Sequence, residues 1–184
     1  KAAWWTARAT AGEVTAGFSK AEITRAAPTD AKSDGGLLER VLGVLEALSD
    51  AGLTDGGRCE VSVKLSAIGQ ALGPDGEKIA LEFARDICAK AAEIGTTVTL
   101  DMEDHTTTDL TLQTLGELRR DFPDTGAVLQ AYLYRTEGDC VDLAHEGSRV
   151  RLCKGAYREP ESVAYASKKD VDLAFVRCAR TLMA

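Results

Sequence analysis

Four polar side chains stand at or near the ends of short β-branched segments in this chain of 184 residues. The segments are CEVSVKL, TTVTLDM, AVLQAYL and RVRLCK, and they carry Lys64, Asp101, Gln130 and Arg151 in that order. A charge inside an apolar strand is unfavourable unless it is paired or functional. Two cations and one acid at a shared opening would suit an anionic substrate or a developing negative charge, with the acid orienting the cations. The pattern therefore predicts a ligand site.

The stretches between these segments are predicted to be helical, because apolar residues recur there at three- and four-residue steps. The predicted strands cover residues 59–65, 96–102, 127–133 and 149–154. The predicted helices cover residues 37–52, 75–94, 109–120, 139–145 and 161–183. Strand and helix alternate at roughly thirty-residue intervals, which is typical of βαβ units and a parallel sheet. The carboxyl ends of parallel strands share one edge of the sheet, where barrel enzymes keep their active sites.

The periodicity is compatible with two architectures, an open doubly wound sheet and a closed (βα)8 barrel. No GxGxxG follows any predicted strand, so the dinucleotide-binding fingerprint is missing. The four predicted strands are half of the eight that a closed barrel requires.

The composition is that of an ordinary globular domain, with a formal net charge of -7 and 45% hydrophobic residues. The acidic balance argues against nucleic acid as a partner. An integral membrane segment is not expected, because no window approaches the roughly 18 consecutive apolar residues of a spanning helix. The five cysteines form no CxxC pair, so they predict small core residues in a reducing compartment rather than a zinc site. With no secretory signal in view, we expect a cytoplasmic location.

A metal site is an alternative interpretation of the residues after the second strand. Asp101, Glu103 and His105 are possible hard-metal ligands and would suit a metal-dependent barrel hydrolase or lyase. The tract EDHTTTD also suits a loop that caps the next helix, and this interpretation is favoured. A non-catalytic remnant that binds no ligand is the third hypothesis.

The four strand-end segments resemble the proline dehydrogenase family. The quoted motifs are VSVKLSAIGQAL, TVTLDMEDH, VLQAYLYRTE and VRLCKGAYREP, and the likeness covers residues 37–184. Members of that family are distorted (βα)8 barrels that bind FAD noncovalently. They oxidise L-proline to Δ1-pyrroline-5-carboxylate and pass electrons to a quinone. The resemblance implies an α/β fold, part of a TIM-like barrel with about four of its eight parallel strands, and metal-free flavin chemistry.

The resemblance also implies roles for particular residues. Lys64 matches a lysine that pairs with the substrate carboxylate, and Asp101 matches the strand-end aspartate of the active site. Arg151 matches an arginine that lies against the flavin near its reactive nitrogen. The catalytic residues are therefore expected to be Asp101 and Arg151. The cofactor-binding residues are expected to be Met102, Gln130, Arg151, Lys154, Gly155 and Ala156.

Both ends of the chain depart from the family pattern. Residues 1–36 are expected to form an irregular arm, and residues 37–184 a partial barrel domain. A helix with paired arginines that clamp the proline carboxylate is expected beyond Ala184 in the family pattern. We therefore expect a truncated form with weak FAD binding and low or no activity. The exposed sheet edges are expected to favour oligomers. The quinone acceptor would allow peripheral contact with a membrane, although no amphipathic basic helix in the sequence argues for it.

Overall fold

The computed structural model describes residues 35–54 and 59–184. The chain divides into two units, Lys1–Thr99 and Leu100–Ala184. The predicted arm at residues 1–36 lies almost wholly outside the described residues, because the description begins at Gly35 with the first helix.

Two strands and two helices make up the described part of the first unit. The helices are α1 (Gly35–Asp50) and α2 (Gly76–Glu93). The strands are β1 (Glu60–Val63) and β2 (Thr97–Leu100), which are neighbours in the sheet, and the last residue of β2 begins the second unit. Two short 3-10 turns, Leu65–Ile68 and Gly73–Asp75, lie between β1 and α2.

Apolar periodicity decides how the first unit packs. The buried residues of α1 are Val41, Leu45 and Leu48, and those of α2 include Ala80, Ala84, Ile87 and Ala91. Both sets recur at three- and four-residue steps, so each helix presents one apolar face, and the two helices pack together. Gly95 follows α2 with a φ of 76°, a backbone conformation that glycine adopts without strain, and the chain turns there into β2.

The second unit contains three helices and two parallel strands. The helices are α3 (Thr108–Arg119), α4 (Thr136–Leu143) and α5 (Lys168–Leu182). The strands β3 (Gly126–Gln130) and β4 (Val150–Cys153) pair in parallel, with Ala127 opposite Val150 and Gln130 opposite Cys153. The helices α4 and α5 pack together, and a buried cluster at the strands includes Met102, Val128, Leu129, Cys140 and Cys178.

The predicted order of four strands and five helices is confirmed, and every boundary is shifted by at least one residue; two of these shifts have a visible cause. The third strand was predicted to reach residue 133, yet β3 ends at Gln130 because the chain turns there and Leu133 forms an antiparallel bridge with Ala164. The last helix was predicted from residue 161, yet α5 begins at Lys168. Its start is set by Ser167, whose hydroxyl accepts a hydrogen bond from the Asp170 backbone at 3.2 Å.

Candidate active site

Arg151 and Asp101 form an ion pair in the second unit, within hydrogen-bonding distance through Nη2 and Oδ1. Asp101 directly follows β2, and Arg151 is the second residue of β4. The side chains are 38% and 21% exposed, so the pair is neither a fully solvated surface contact nor a buried one. The hydrogen bond to the carboxylate fixes the orientation of the guanidinium. Asp101 and Arg151 therefore place a positive group beside a negative one near the ends of their strands.

Gln130 ends β3 and is 4% exposed. Its Nε2 donates a long hydrogen bond of 3.5 Å to the backbone carbonyl of Met102, which is also buried. Within the described residues, its Oε1 accepts no hydrogen bond. A buried amide oxygen without a donor costs about 1–3 kcal/mol, so this atom suits a donor that a ligand would bring.

The loop after β4 joins β3 through its backbone. The Lys154 carbonyl accepts a hydrogen bond from the Tyr132 backbone at 2.9 Å, which extends the strand pairing beyond β3 and β4. Gly155 has a φ of 111°, and a Cβ atom built there would collide with the ring of Tyr132. Only glycine fits at this position. The next residue, Ala156, is exposed.

The ammonium of Lys154 points to α5 and not to Asp101. Its Nζ lies 2.5 Å from Asp172 Oδ1, and Lys168 contacts the other oxygen of that carboxylate at 2.8 Å. The hydrogen bonds from Lys154 and then Lys168 lower the pKa of Asp172. The structure therefore places the backbone of Lys154, and not its ammonium group, beside the end of β3.

Lys64 belongs to the first unit, while the other site residues belong to the second. It directly follows β1 with extended backbone (φ -97°, ψ 125°) and precedes the 3-10 turn Leu65–Ile68. Its role at the substrate carboxylate stays a prediction from the family resemblance. The structure thus brings together Asp101 with Arg151 and Met102 with Gln130, and it describes Lys64 with its own unit.

The tract after Asp101 is a helix-capping loop, as favoured above. The Asp104 side chain accepts a hydrogen bond from the Thr106 backbone at 2.9 Å, ahead of the 3-10 turn His105–Thr107 that leads into α3. Of the three residues in the metal interpretation, Asp101 pairs with Arg151 and His105 pairs with Glu159. No group of three or more His, Cys, Asp or Glu residues within 35–54 and 59–184 is arranged to hold a metal. The metal-dependent alternative is therefore not supported.

Cys153 lies in β4 between the site residues, and burial raises the pKa of its thiol. Arg151 acts in the opposite direction, but burial is the larger influence. The thiol is therefore protonated and packed against the apolar cluster, as expected for a core cysteine.

Glu159 is an acid with a buried side chain whose contacts the sequence patterns did not reveal. Its side chain is only 3% exposed and contacts His105, which is 54 residues away in the chain, and Tyr132. Burial, followed by the negative charge of Glu159, raises the pKa of the Tyr132 hydroxyl. The quoted motif VRLCKGAYREP contains Glu159, but its partners lie in other motifs and only the fold joins them.

The family model described as proline dehydrogenase matches residues 12–184 of the chain. The chain belongs to the proline dehydrogenase family. The match begins at residue 12, so the family likeness extends beyond the expected residues 37–184 into the predicted 1–36 arm. The family and its structural neighbours imply a flavin cofactor.

Two named proline dehydrogenases are similar to more than half of this chain. The proline dehydrogenase of Deinococcus radiodurans is 45% identical over 134 residues, which are 72% of this chain and 42% of that protein. Proline dehydrogenase 1 of Bacillus subtilis strain 168 is 38% identical over 116 residues, which are 63% of this chain and 37% of that protein. The chain spans about two fifths of the length of these curated relatives.

Solved structures show the same fold. Proline utilization A from Bdellovibrio bacteriovorus, inactivated by N-propargylglycine, matches with a TM-score of 0.72 at 26% identity over 83% of this chain and 20% of its own. A variant of proline utilization A from Bradyrhizobium japonicum matches with a TM-score of 0.68 at 21% identity over 83% and 19%. The likeness confirms the predicted fold class, an α/β part of a TIM-like barrel with four parallel strands and flanking helices.

None of the helices in the described ranges has the length and apolarity that crossing a bilayer requires.

Proposed function

We propose that this chain forms the flavin-binding part of an enzyme that oxidises L-proline to Δ1-pyrroline-5-carboxylate. The proposed cofactor is FAD, and the proposed electron acceptor is a quinone. The observation that carries the proposal is the Arg151–Asp101 ion pair at the strand ends of a proline dehydrogenase family member. It supplies a fixed cation where the family resemblance expects the flavin.

Two features of the site fit a flavin. The buried Oε1 of Gln130, which accepts no hydrogen bond from the described residues, matches an N–H donor on a heterocyclic ring. Gly155 leaves no room for a Cβ beside Tyr132, and its bare backbone is what a closely packed cofactor needs. Met102 and Gln130 would contact the ring, and the loop of Lys154, Gly155 and Ala156 would hold it.

The chemistry needs a stationary positive charge. When bound, FAD would supply the hydride acceptor for oxidation of the substrate ring carbon, with loss of a proton from the substrate nitrogen as the C=N bond forms. Arg151 stabilises the negative charge that this transfer delivers, and it needs little reorganisation because Asp101 already holds it. Lys64 would pair with the carboxylate of proline.

A quinone acceptor, a cytoplasmic location and self-association complete the proposal. Quinones are dissolved in membranes, so a cytoplasmic protein would meet this acceptor at the membrane surface. The strand β4 ends the order of strands within the described residues, and another chain could pair with that edge. Light scattering of the purified protein tests self-association, and vesicle flotation tests contact with a membrane surface.

Arg151→Gln is the variant that tests the proposed function, with Arg149→Gln as a matched control. Arg149 donates to the Asp124 carbonyl at 3.0 Å and has no proposed role in the site. We expect the protein to bind FAD weakly, and Arg151→Gln to weaken that binding about tenfold and to slow the low proline-dependent dye reduction further, both relative to Arg149→Gln. Absence of any FAD binding by the unaltered protein, or unchanged FAD binding and dye reduction in Arg151→Gln, would contradict the proposal.

A further inference from the structure

The buried carboxylate of Glu159 accepts hydrogen bonds from two other segments of the second unit. Its Oε1 accepts from the His105 backbone at 2.9 Å and from the Tyr132 hydroxyl at 3.2 Å. Its Oε2 lies within hydrogen-bonding distance of Nδ1 of the His105 ring. With the side chain only 3% exposed, these contacts replace water as the partners of a buried charge.

The three residues of this cluster lie on three separate loops. His105 begins the 3-10 turn that follows Asp101 and Met102, and Tyr132 follows β3. Glu159 lies in the loop after β4. One carboxylate therefore ties together the loops that follow three strands, on the side where the candidate site lies.

The ring of Tyr132 links the cluster to the proposed cofactor loop. It lies against Gly155 so closely that no Cβ fits between them, and its hydroxyl is held by Glu159. The Tyr132 backbone also donates to the Lys154 carbonyl at 2.9 Å. Any movement of this ring would displace the backbone at Lys154 and Gly155.

We propose that Glu159 is a positioning residue for the flavin site. It acts through Tyr132 on the loop at Lys154 and Gly155, and through His105 on the segment that carries Met102. This inference rests on the proposed function, because it assumes that the site binds FAD. The required property is the placement of three hydrogen-bond contacts, and the negative charge is secondary.

Glutamine and aspartate at position 159 separate placement from charge. In Glu159→Gln, the amide oxygen accepts from the His105 backbone and the Tyr132 hydroxyl, and the amide nitrogen donates to Nδ1 of the neutral His105 ring. In Glu159→Asp, the charge remains but the shorter side chain does not reach. Glu161→Gln is the matched control, because it removes an exposed acid two residues away in the same loop.

The experiment measures FAD affinity by fluorescence titration, the visible spectrum of the FAD-saturated protein, and the thermal unfolding midpoint without FAD. We expect Glu159→Asp and Glu159→Ala to weaken FAD binding about tenfold or more and to shift the flavin bands. Glu159→Gln should stay within about threefold of the unaltered protein, and Glu161→Gln should not differ from it.

Several outcomes overturn the inference. They are unchanged affinity and spectrum in Glu159→Ala, equal loss in the glutamine and aspartate variants, or a lowered unfolding midpoint with unchanged FAD affinity of the folded protein. If Glu159→Ala does not fold, Tyr132→Phe, which removes one hydroxyl, is measured against Glu159→Asp, and unchanged FAD binding in both overturns the inference. Failure of the unaltered protein to bind FAD refutes the proposed function itself and is recognised without any variant.

Discussion

Arg151 in β4 and Asp101 after β2 are 50 residues apart in sequence, yet their side chains form an ion pair in the folded second unit. Each side chain is partly exposed, so the pair combines a modest electrostatic attraction with a directional hydrogen bond. Its main consequence is a guanidinium that is oriented before any ligand arrives.

A double-mutant cycle on this pair should reveal direct coupling. Asp101→Asn keeps the side-chain volume, Arg151→Gln shortens the side chain, and each removes one charge. We expect each to lower the free energy of unfolding by about 1 kcal/mol, with a coupling energy of about 1 kcal/mol in the double variant. Urea unfolding measures all four proteins. Strictly additive effects would show that the two groups do not interact in solution.

The substitution Gly155→Ala should destabilise the protein more than a matched glycine substitution. Gly147 also has a positive φ, 78°, but nothing lies within 4 Å of a Cβ built there. Gly147→Ala therefore reports backbone strain alone, about 1 kcal/mol. Gly155→Ala adds the collision with Tyr132, and we expect about 2–3 kcal/mol in urea unfolding. Equal losses in the two variants would mean that the Tyr132 ring moves aside freely.

Arg135 should contribute more to stability than a surface arginine does. It contacts both oxygens of Asp139, at 2.9 and 3.0 Å, and Asp109 at 2.5 Å, and the Asp139 side chain is only 10% exposed. Arg135→Ala leaves that carboxylate buried without its cation, and we expect a loss of about 3 kcal/mol.

Arg120→Ala is the control for Arg135→Ala. Arg120 pairs with Glu117 at 3.0 Å, and its side chain is 72% exposed. Its loss should cost less than about 0.5 kcal/mol in urea unfolding. Equal losses in the two variants would show that the burial of the paired acid, 10% exposed at Asp139 and 35% exposed at Glu117, does not decide the contribution of the ion pair.

The thiol of Cys140 should make stability depend on alkaline pH. Burial, then the neighbouring Cys178, raises the pKa of Cys140 to about 12 in the folded protein, from the ordinary value of 9.0. The unfolded chain then loses this proton at lower pH than the folded protein does. The stabilisation is complete below pH 9 and is lost as the pH rises from there to about 12.

Cys140→Ala tests this pH dependence. We expect its free energy of unfolding to fall less steeply than that of the unaltered protein between pH 8 and about 10, as measured by urea unfolding at each pH. Identical slopes for the two proteins would show that the Cys140 thiol does not keep its proton in the folded state.

The sequence by itself determined the order of strands and helices, because apolar periodicity reflects local burial that every βαβ unit needs. It also placed Asp101, Gln130 and Arg151 at or near strand ends, since strand register follows from alternation. The capping role of Asp104 was also predictable, because its partner Thr106 is only two residues away along the chain.

Only the tertiary structure decided the contacts between distant segments. The end of β3 depends on the bridge between Leu133 and Ala164, which no local pattern contains. The contact between Glu159 and His105 spans 54 residues and joins two loops without periodicity. Such contacts follow from how the loops lie after the strands have paired, and residue types along the chain carry no record of that arrangement.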